Sequence, residues 1–261
     1  MKIYHVDAFT AEAFGGNPAA VCLLEYPKVD SWMQDVAAEM CLSETVFLIR
    51  QGDGYNLRWF TPKMEVDLCG HATLAAAYVL FYSGGARRDA VIRFYTKSGP
   101  LEAVWNNDRI ELDFPATPDS EVSAPEGLLA ALGVEARYVG KTVFDYIVEV
   151  GSEDTVRNMT PDFSALCRVP ARGTIVTSRT TSGEFDFISR FFCPILGIKE
   201  DPVTGSAHCC LGPYWAKKLC REEFVAYQAS ERGGIIRVRI DGDRVYLSGQ
   251  AVIVHKGELL V

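Results

Sequence analysis

Basic residues are in the minority in this chain: 26 Lys and Arg stand against 34 Asp and Glu, a formal net charge of -8 over 261 residues. Sequence-independent nucleic-acid binding needs a basic footprint, and no cluster of Lys and Arg interleaved with aromatics supplies one locally, so nucleic acid is not expected as a partner. Long hydrophobic runs are also missing. Stretches such as Ala72 to Phe81 fall well short of the roughly 20 residues that cross a bilayer, so no membrane is expected either. The opening MKIYHVDAF alternates as a strand does and lacks the apolar core of a secretion signal, which points to the cytoplasm. The eight cysteines (Cys22, Cys41, Cys69, Cys167, Cys193, Cys209, Cys210 and Cys220) show no C-x-x-C spacing; reduced thiols acting as small hydrophobes are expected, with neither disulfides nor a structural zinc. His5, His208 and His255 have no metal-site spacing and are assigned to structure.

What is present is an ordinary globular composition, 48% hydrophobic and 23% charged, with no low-complexity segment. At roughly 100 to 200 residues per domain, the length allows two domains that each bury a core. An internal repeat favours two. SGPLEAVWNNDRIEL (98–112) aligns without gaps on GGIIRVRIDGDRVYL (233–247), at an offset of 135. The same offset places Gly70-His71-Ala72 on Gly205-Ser206-Ala207, and a three-residue shift places RWFTP (58–62) on RFFCP (190–194). Three collinear matches are hard to obtain by chance, whereas a single hairpin turn is easy.

Each copy reads as a strand ending in Pro, a loop, a Gly, an apolar helix and a hairpin of alternating residues, an α+β pattern. Ala72 to Phe81 is apolar on nearly every face, as is much of Ala207 to Ala216, and a helix apolar all round must be buried all round; each sheet should therefore wrap its helix. Gly84-Gly85 suits a stop for the first helix, while Pro213 should kink or shorten the second. Lys2 to Phe9 suits a strand, Asp30 to Met40 a helix, and Glu44 sits where that helix gives way to the strand Leu42 to Leu48. The Pro-, Ala- and Ser-rich text around Asp113 to Ser123 reads as the linker. The expected domains are 1–117, joined by a C-terminal strand near 250–261, and 118–249, with any active site in the cleft between them.

Paired Gly-led helices could point both N-termini at that cleft, where free N–H groups and helix dipoles favour an anion such as a small carboxylate. Beside the turns lie Glu65, Asp67, Cys69 and His71 in one copy and Glu200, Asp201, Thr204 and Ser206 in the other, an abundance of groups able to carry protons. At offset 135 Cys69 faces Thr204, so the two opposed thiols of a symmetrical racemase are absent and an asymmetric reaction is expected.

Asp7-Ala-Phe, Gly16-Asn-Pro, Leu42-Ser-Glu-Thr, DLCGHAT (67–73) and EDPVTGS (200–206) together resemble the PhzF phenazine-biosynthesis family over nearly the whole chain. The resemblance implies the diaminopimelate epimerase fold, two similar pseudo-twofold-related domains, each a mixed sheet around a central apolar helix. It implies an isomerase that moves a proton between carbons of a small carboxylated, cyclic or amine-bearing substrate without metal or organic cofactor. It assigns Glu44 as the acid-base group, and His71, Asp201 and Ser206, with Gly70 and Gly205, as residues that hold the substrate or relay protons. A carboxylate suits such a task when burial lifts its pKa toward neutrality. Homodimerisation is implied as well.

The residues by themselves leave other readings open. Glu44 can be a surface carboxylate at a helix end, His71 a cap of its turn, Asp201 a turn residue and Ser206 an N-cap. A thiol at a helix N-terminus can have a depressed pKa, which keeps a cysteine-dependent racemase using Cys69, with Thr204 opposite, as one alternative. A binding or scaffold protein without turnover is the other.

Overall fold

The computed structural model describes residues 1–261 and divides into two compact units, one built from residues 1–114 and 246–261, the other from residues 115–245. The first unit runs β1 (Lys2–Ala8), β2 (Asn17–Leu24), α1 (Asp30–Met40), β3 (Glu44–Gln51), β4 (Gly54–Phe60), β5 (Glu65–Val66), α2 (Gly70–Ser83), β6 (Ile92–Thr96), β7 (Gly99–Asn106) and β8 (Arg109–Pro115). There follow β9 (Ser120–Glu121), α3 (Leu128–Leu132), β10 (Ala136–Lys141), β11 (Asp145–Val150), α4 (Glu153–Asn158), α5 (Phe163–Leu166), β12 (Gly173–Arg179), β13 (Phe187–Cys193), β14 (Ile198–Asp201), α6 (Gly205–Leu219), β15 (Glu223–Gln228), β16 (Gly234–Asp241) and β17 (Arg244–Gly249). The last strand, β18 (Ala251–Glu258), pairs antiparallel with β1 in the first unit.

The duplication shows in the ladders. In the first unit β1–β2 is antiparallel, β2–β3 parallel, β3–β4 and β4–β5 antiparallel, β4–β6 parallel and β6–β7 antiparallel. The second repeats that series with β10–β11, β11–β12, β12–β13, β13–β14, β13–β15 and β15–β16. Each unit is therefore α+β, with a mixed sheet and one long apolar helix.

The composition of α2 explains the wrapping. From His71 to Ala77, and again at Val79, Leu80 and Phe81, its residues are buried, because β1, β2, β3 and β18 pack around it. It stops at Gly84, whose φ of 78° is the left-handed conformation a helix end favours. α1 needs cover on one face only: Met33, Val36 and Ala37, spaced at three and four residues, pack with Ile3, Phe47 and Phe60.

The expectation that Pro213 shortens the second helix is corrected. α6 runs 15 residues, Gly205–Leu219, with Pro213 inside it. A proline inside a helix orphans the carbonyl four residues earlier, and here the Cys209 carbonyl accepts instead from the Thr117 amide at 3.0 Å. The segment read as a linker thus repairs the helix.

A second device is duplicated. Arg58 holds Glu65 through two bonds of 2.7 Å in one unit, and Arg190 holds Glu200 through two of 2.7 Å in the other. Glu65 and Glu200, counted by sequence among the proton-carrying groups, are instead bidentate braces that tie the strand before each helix to its short partner strand.

Candidate active site

In the first unit, sheet register gathers the site. β2 and β3 run parallel with Ala19 beside Glu44, so the starts of both strands lie at one end of the sheet. Asn17 opens β2 and Glu44 opens β3. Upstream of Asn17, Gly16 has φ +63° and is pressed so close to the Ala8 carbonyl that a Cβ would sit 2.1 Å from that oxygen; only glycine fits. Buried Asp7 accepts from the Phe14 amide at 2.7 Å and closes the same loop. Upstream of Glu44, Cys41 takes the left-handed conformation that ends α1.

The N-terminus of α2 supplies the rest. Cys69 is its N-cap and makes no side-chain cap bond; Gly70 and His71 are the first two helical residues. His71 is buried, its Nε2 3.1 Å from Glu44 Oε2 and its Nδ1 3.1 Å from Asn17 Nδ2 and 3.5 Å from Cys69 Sγ. Ser43 Oγ donates to Asn17 Oδ1 at 3.1 Å. Glu44 Oε2 and His71 Nε2 face each other at 3.1 Å, and each is buried without a satisfied hydrogen bond. Buried polar atoms are rarely left so, and an unspent acceptor and donor side by side await an incoming group.

Charge states follow from these neighbours. Burial pushes the Cys69 thiol up to about 11, the Glu44 charge adding to the rise, so burial outweighs the helix N-terminus that could have depressed it. The depressed thiol that sequence position allowed is therefore not found. For His71, burial opposes the imidazolium, while Cys69 and Glu44 favour it and carry its pKa above the ordinary value. The part owed to Cys69 needs a thiolate, which is absent at neutral pH; Glu44 alone then opposes burial. The donor atoms of Glu44, Cys69 and His71 lie within 4.8 Å of one another and are types a zinc ion takes, and such an ion would displace the thiol proton on binding.

In the second unit, Asp201, Thr204, Gly205 and Ser206 come together at the start of α6. Thr204, not Ser206, is the N-cap. Thr204 Oγ1 donates to Asp201 Oδ2 at 2.5 Å, and fully buried Gln228 receives the Thr204 amide at 2.8 Å while donating to the Asp201 carbonyl at 2.7 Å. Ser206 Oγ accepts from Arg172 at 3.1 Å, and Arg172 is held by buried Asp145, 2.9 Å from Nε to Oδ1. His208 Nδ1 donates to the Thr204 carbonyl at 2.8 Å, and burial lowers its pKa to about 4, so the ring is neutral.

The chain matches the family model described as phenazine biosynthesis-like protein over residues 6–257. It belongs to that family. It is 55% identical over 260 residues to an uncharacterised isomerase of Halalkalibacterium halodurans, covering 99% of this chain and 98% of that protein. A PhzF-family phenazine biosynthesis protein from Enterococcus faecalis, solved by crystallography, superposes with a TM-score of 0.95 at 42% identity, covering 100% of this chain and 99% of that one. A probable proline racemase from Agrobacterium radiobacter shares the fold alone, with a TM-score of 0.67 at 10% identity over 100% of this chain and 93% of that one.

Within this phenazine biosynthesis-like chain, sequence reasoning missed Asn17, Arg172, Asp145 and Gln228. Asn17 stood in a motif already singled out, Gly16-Asn-Pro, but an Asn before Pro reads as a turn residue. Arg172, Asp145 and Gln228 carried no local signal, because their partners arrive by sheet register.

Proposed function

We propose that this protein is an isomerase of the PhzF type, moving a proton between two carbons of a small carboxylated, cyclic or amine-bearing substrate, with Glu44 as the acid-base group and no cofactor. The observation that carries the reading is the buried Glu44–His71 pair, 3.1 Å apart, with both facing atoms unsatisfied beneath the N-terminus of α2. Relatives named as isomerases support the reaction class.

The chemistry balances on one side chain. Glu44 as carboxylate takes a proton from an acidic carbon; the C–H bond breaks, an O–H bond forms, and the electron pair moves into the substrate's conjugated system. The carboxylic acid then returns its proton to a different carbon, restoring the carboxylate and leaving an isomer. His71 would stabilise the carboxylate before the first transfer and again after the second. The partial positive charge at the N-terminus of α2 suits the negative charge that develops on the substrate. Asp201 and Ser206 are proposed, on the family resemblance, to hold its polar groups.

A panel of dihydro-hydroxyanthranilate-like and amino-acid substrates tests the reading. Glu44→Gln, which keeps shape and loses the base, should lower turnover by about 10² to 10⁴, the usual worth of a positioned acid-base group. Turnover surviving in Glu44→Gln and lost in Cys69→Ala would transfer the chemistry to the thiol.

A further inference from the structure

Asn17 has a place that its motif does not explain. Its side chain has no exposure and joins two others: Ser43 Oγ donates to Oδ1 at 3.1 Å, and Nδ2 lies 3.1 Å from His71 Nδ1. A neutral imidazole carries one proton, on one nitrogen or the other, and its neighbours decide which. Around Nδ1 stand an amide N–H and a protonated thiol, both donors. Facing Nε2 is Glu44 Oε2, which as a carboxylate can only accept.

The opposite arrangement fails on the same distances. Turning the Asn17 amide would present Oδ1 to the ring and demand a proton on Nδ1. In a neutral ring that leaves Nε2 bare, lone pair against carboxylate at 3.1 Å. A doubly protonated ring likewise needs the Asn17 amide turned, giving up the bond that Ser43 Oγ donates to Oδ1 at 3.1 Å.

We propose that Asn17 is a positioning residue that holds His71 in the neutral tautomer with its proton on Nε2, so that the ring offers Glu44 a donor rather than a second base. The purpose of that tautomer rests on the reading of Glu44 as the acid-base group; its existence does not. His208, whose Nδ1 faces a carbonyl, holds the opposite tautomer and serves as an internal contrast.

Long-range proton–nitrogen correlation NMR on protein labelled with 15N-histidine reads tautomers directly, and the chain has four histidines to assign. At pH 7 the signals lost in His71→Gln should show a protonated Nε2 and a bare Nδ1 in the wild type, with the reverse pattern for His208. Asn17→Asp, the same shape with an acceptor on both arms, should protonate both nitrogens of His71; Asn17→Leu, without a donor, should shift the Nδ1 signal toward that of a nitrogen free of hydrogen bonds. A wild-type His71 with a proton on Nδ1 overturns the proposal, as does a His71 pattern unchanged in whichever of the two variants folds. The outcomes separate from those of the functional reading: the expected tautomer with full turnover in Glu44→Gln sinks only the role of Glu44, and a reversed tautomer with turnover lost in Glu44→Gln sinks only the role of Asn17.

Discussion

Gly16 and Gly52 share a backbone conformation but not an environment, which makes them a matched pair of perturbations. Both have positive φ, +63° and +57°. A Cβ at Gly52 would meet nothing within 4 Å, whereas one at Gly16 would sit 2.1 Å from the Ala8 carbonyl oxygen and 2.9 Å from Thr10 Cγ2. Alanine in the left-handed region costs about 1 to 2 kcal/mol, against which the stiffer unfolded chain returns about 0.4 to 1. Gly52→Ala should therefore cost about 1 kcal/mol. Gly16→Ala carries the same term plus the displacement of a strand backbone, for which overpacking of about 1 to 3 kcal/mol is the measure, giving about 2 to 4 in total. At roughly 2 to 4 °C per kcal/mol for a chain of this size, scanning calorimetry should show a fall of about 2 to 4 °C for Gly52→Ala and at least twice that for Gly16→Ala. Equal shifts would refute the claim that close approach, rather than φ alone, dictates glycine at 16.

Two further outcomes follow from buried groups. His208 has its pKa lowered to about 4 by burial, so between pH 6.5 and 4 the unfolded chain binds the proton that the folded one refuses; stability from this residue is complete above pH 6.5 and declines as the pH falls, by roughly 3 kcal/mol at the low end. Urea unfolding of His208→Gln at several pH values should show a flatter acid limb than the wild type, and parallel limbs would contradict the assignment. Among the thiols, exposed Cys41, Cys167 and Cys220 should react with iodoacetamide at pH 7.5 while Cys69, buried and protonated, should not; rapid alkylation of Cys69 in the folded protein would show a thiolate where the account requires a thiol.

Much of the fold was legible because it is periodic and repeated. The 135-residue offset anticipated ladders that recur in the same order in both units, and the apolar text of Ala72 to Phe81 anticipated a helix wrapped by sheet. α1 begins and ends where the pattern placed it, and Glu44 opens the strand after it. Pro213 misled because the donor that repairs its lost hydrogen bond, Thr117, lies 96 residues earlier in sequence. Of the site, Glu44, Cys69 and His71 stood in motifs and do converge on one another, as do Asp201, Thr204 and Ser206 in their own unit. The braces were illegible: Glu65 and Glu200 looked like free acids until Arg58 and Arg190 were found holding them. Burial likewise works against the alternative that gave Cys69 a depressed pKa, since position at a helix start is local and visible in sequence, whereas desolvation is set by the surrounding fold.

The central claim is that Glu44 alone carries the migrating proton, and isotope exchange in deuterium oxide tests it most directly. Purified wild-type protein, incubated with a substrate from the panel and followed by NMR and mass spectrometry, should move a proton from one carbon to another. Deuterium should appear at the receiving carbon in proportion to exchange of the protonated Glu44 with solvent between the two transfers, and Glu44→Gln should give neither isomer nor deuterium. Deuterium incorporation persisting in Glu44→Gln would contradict the account.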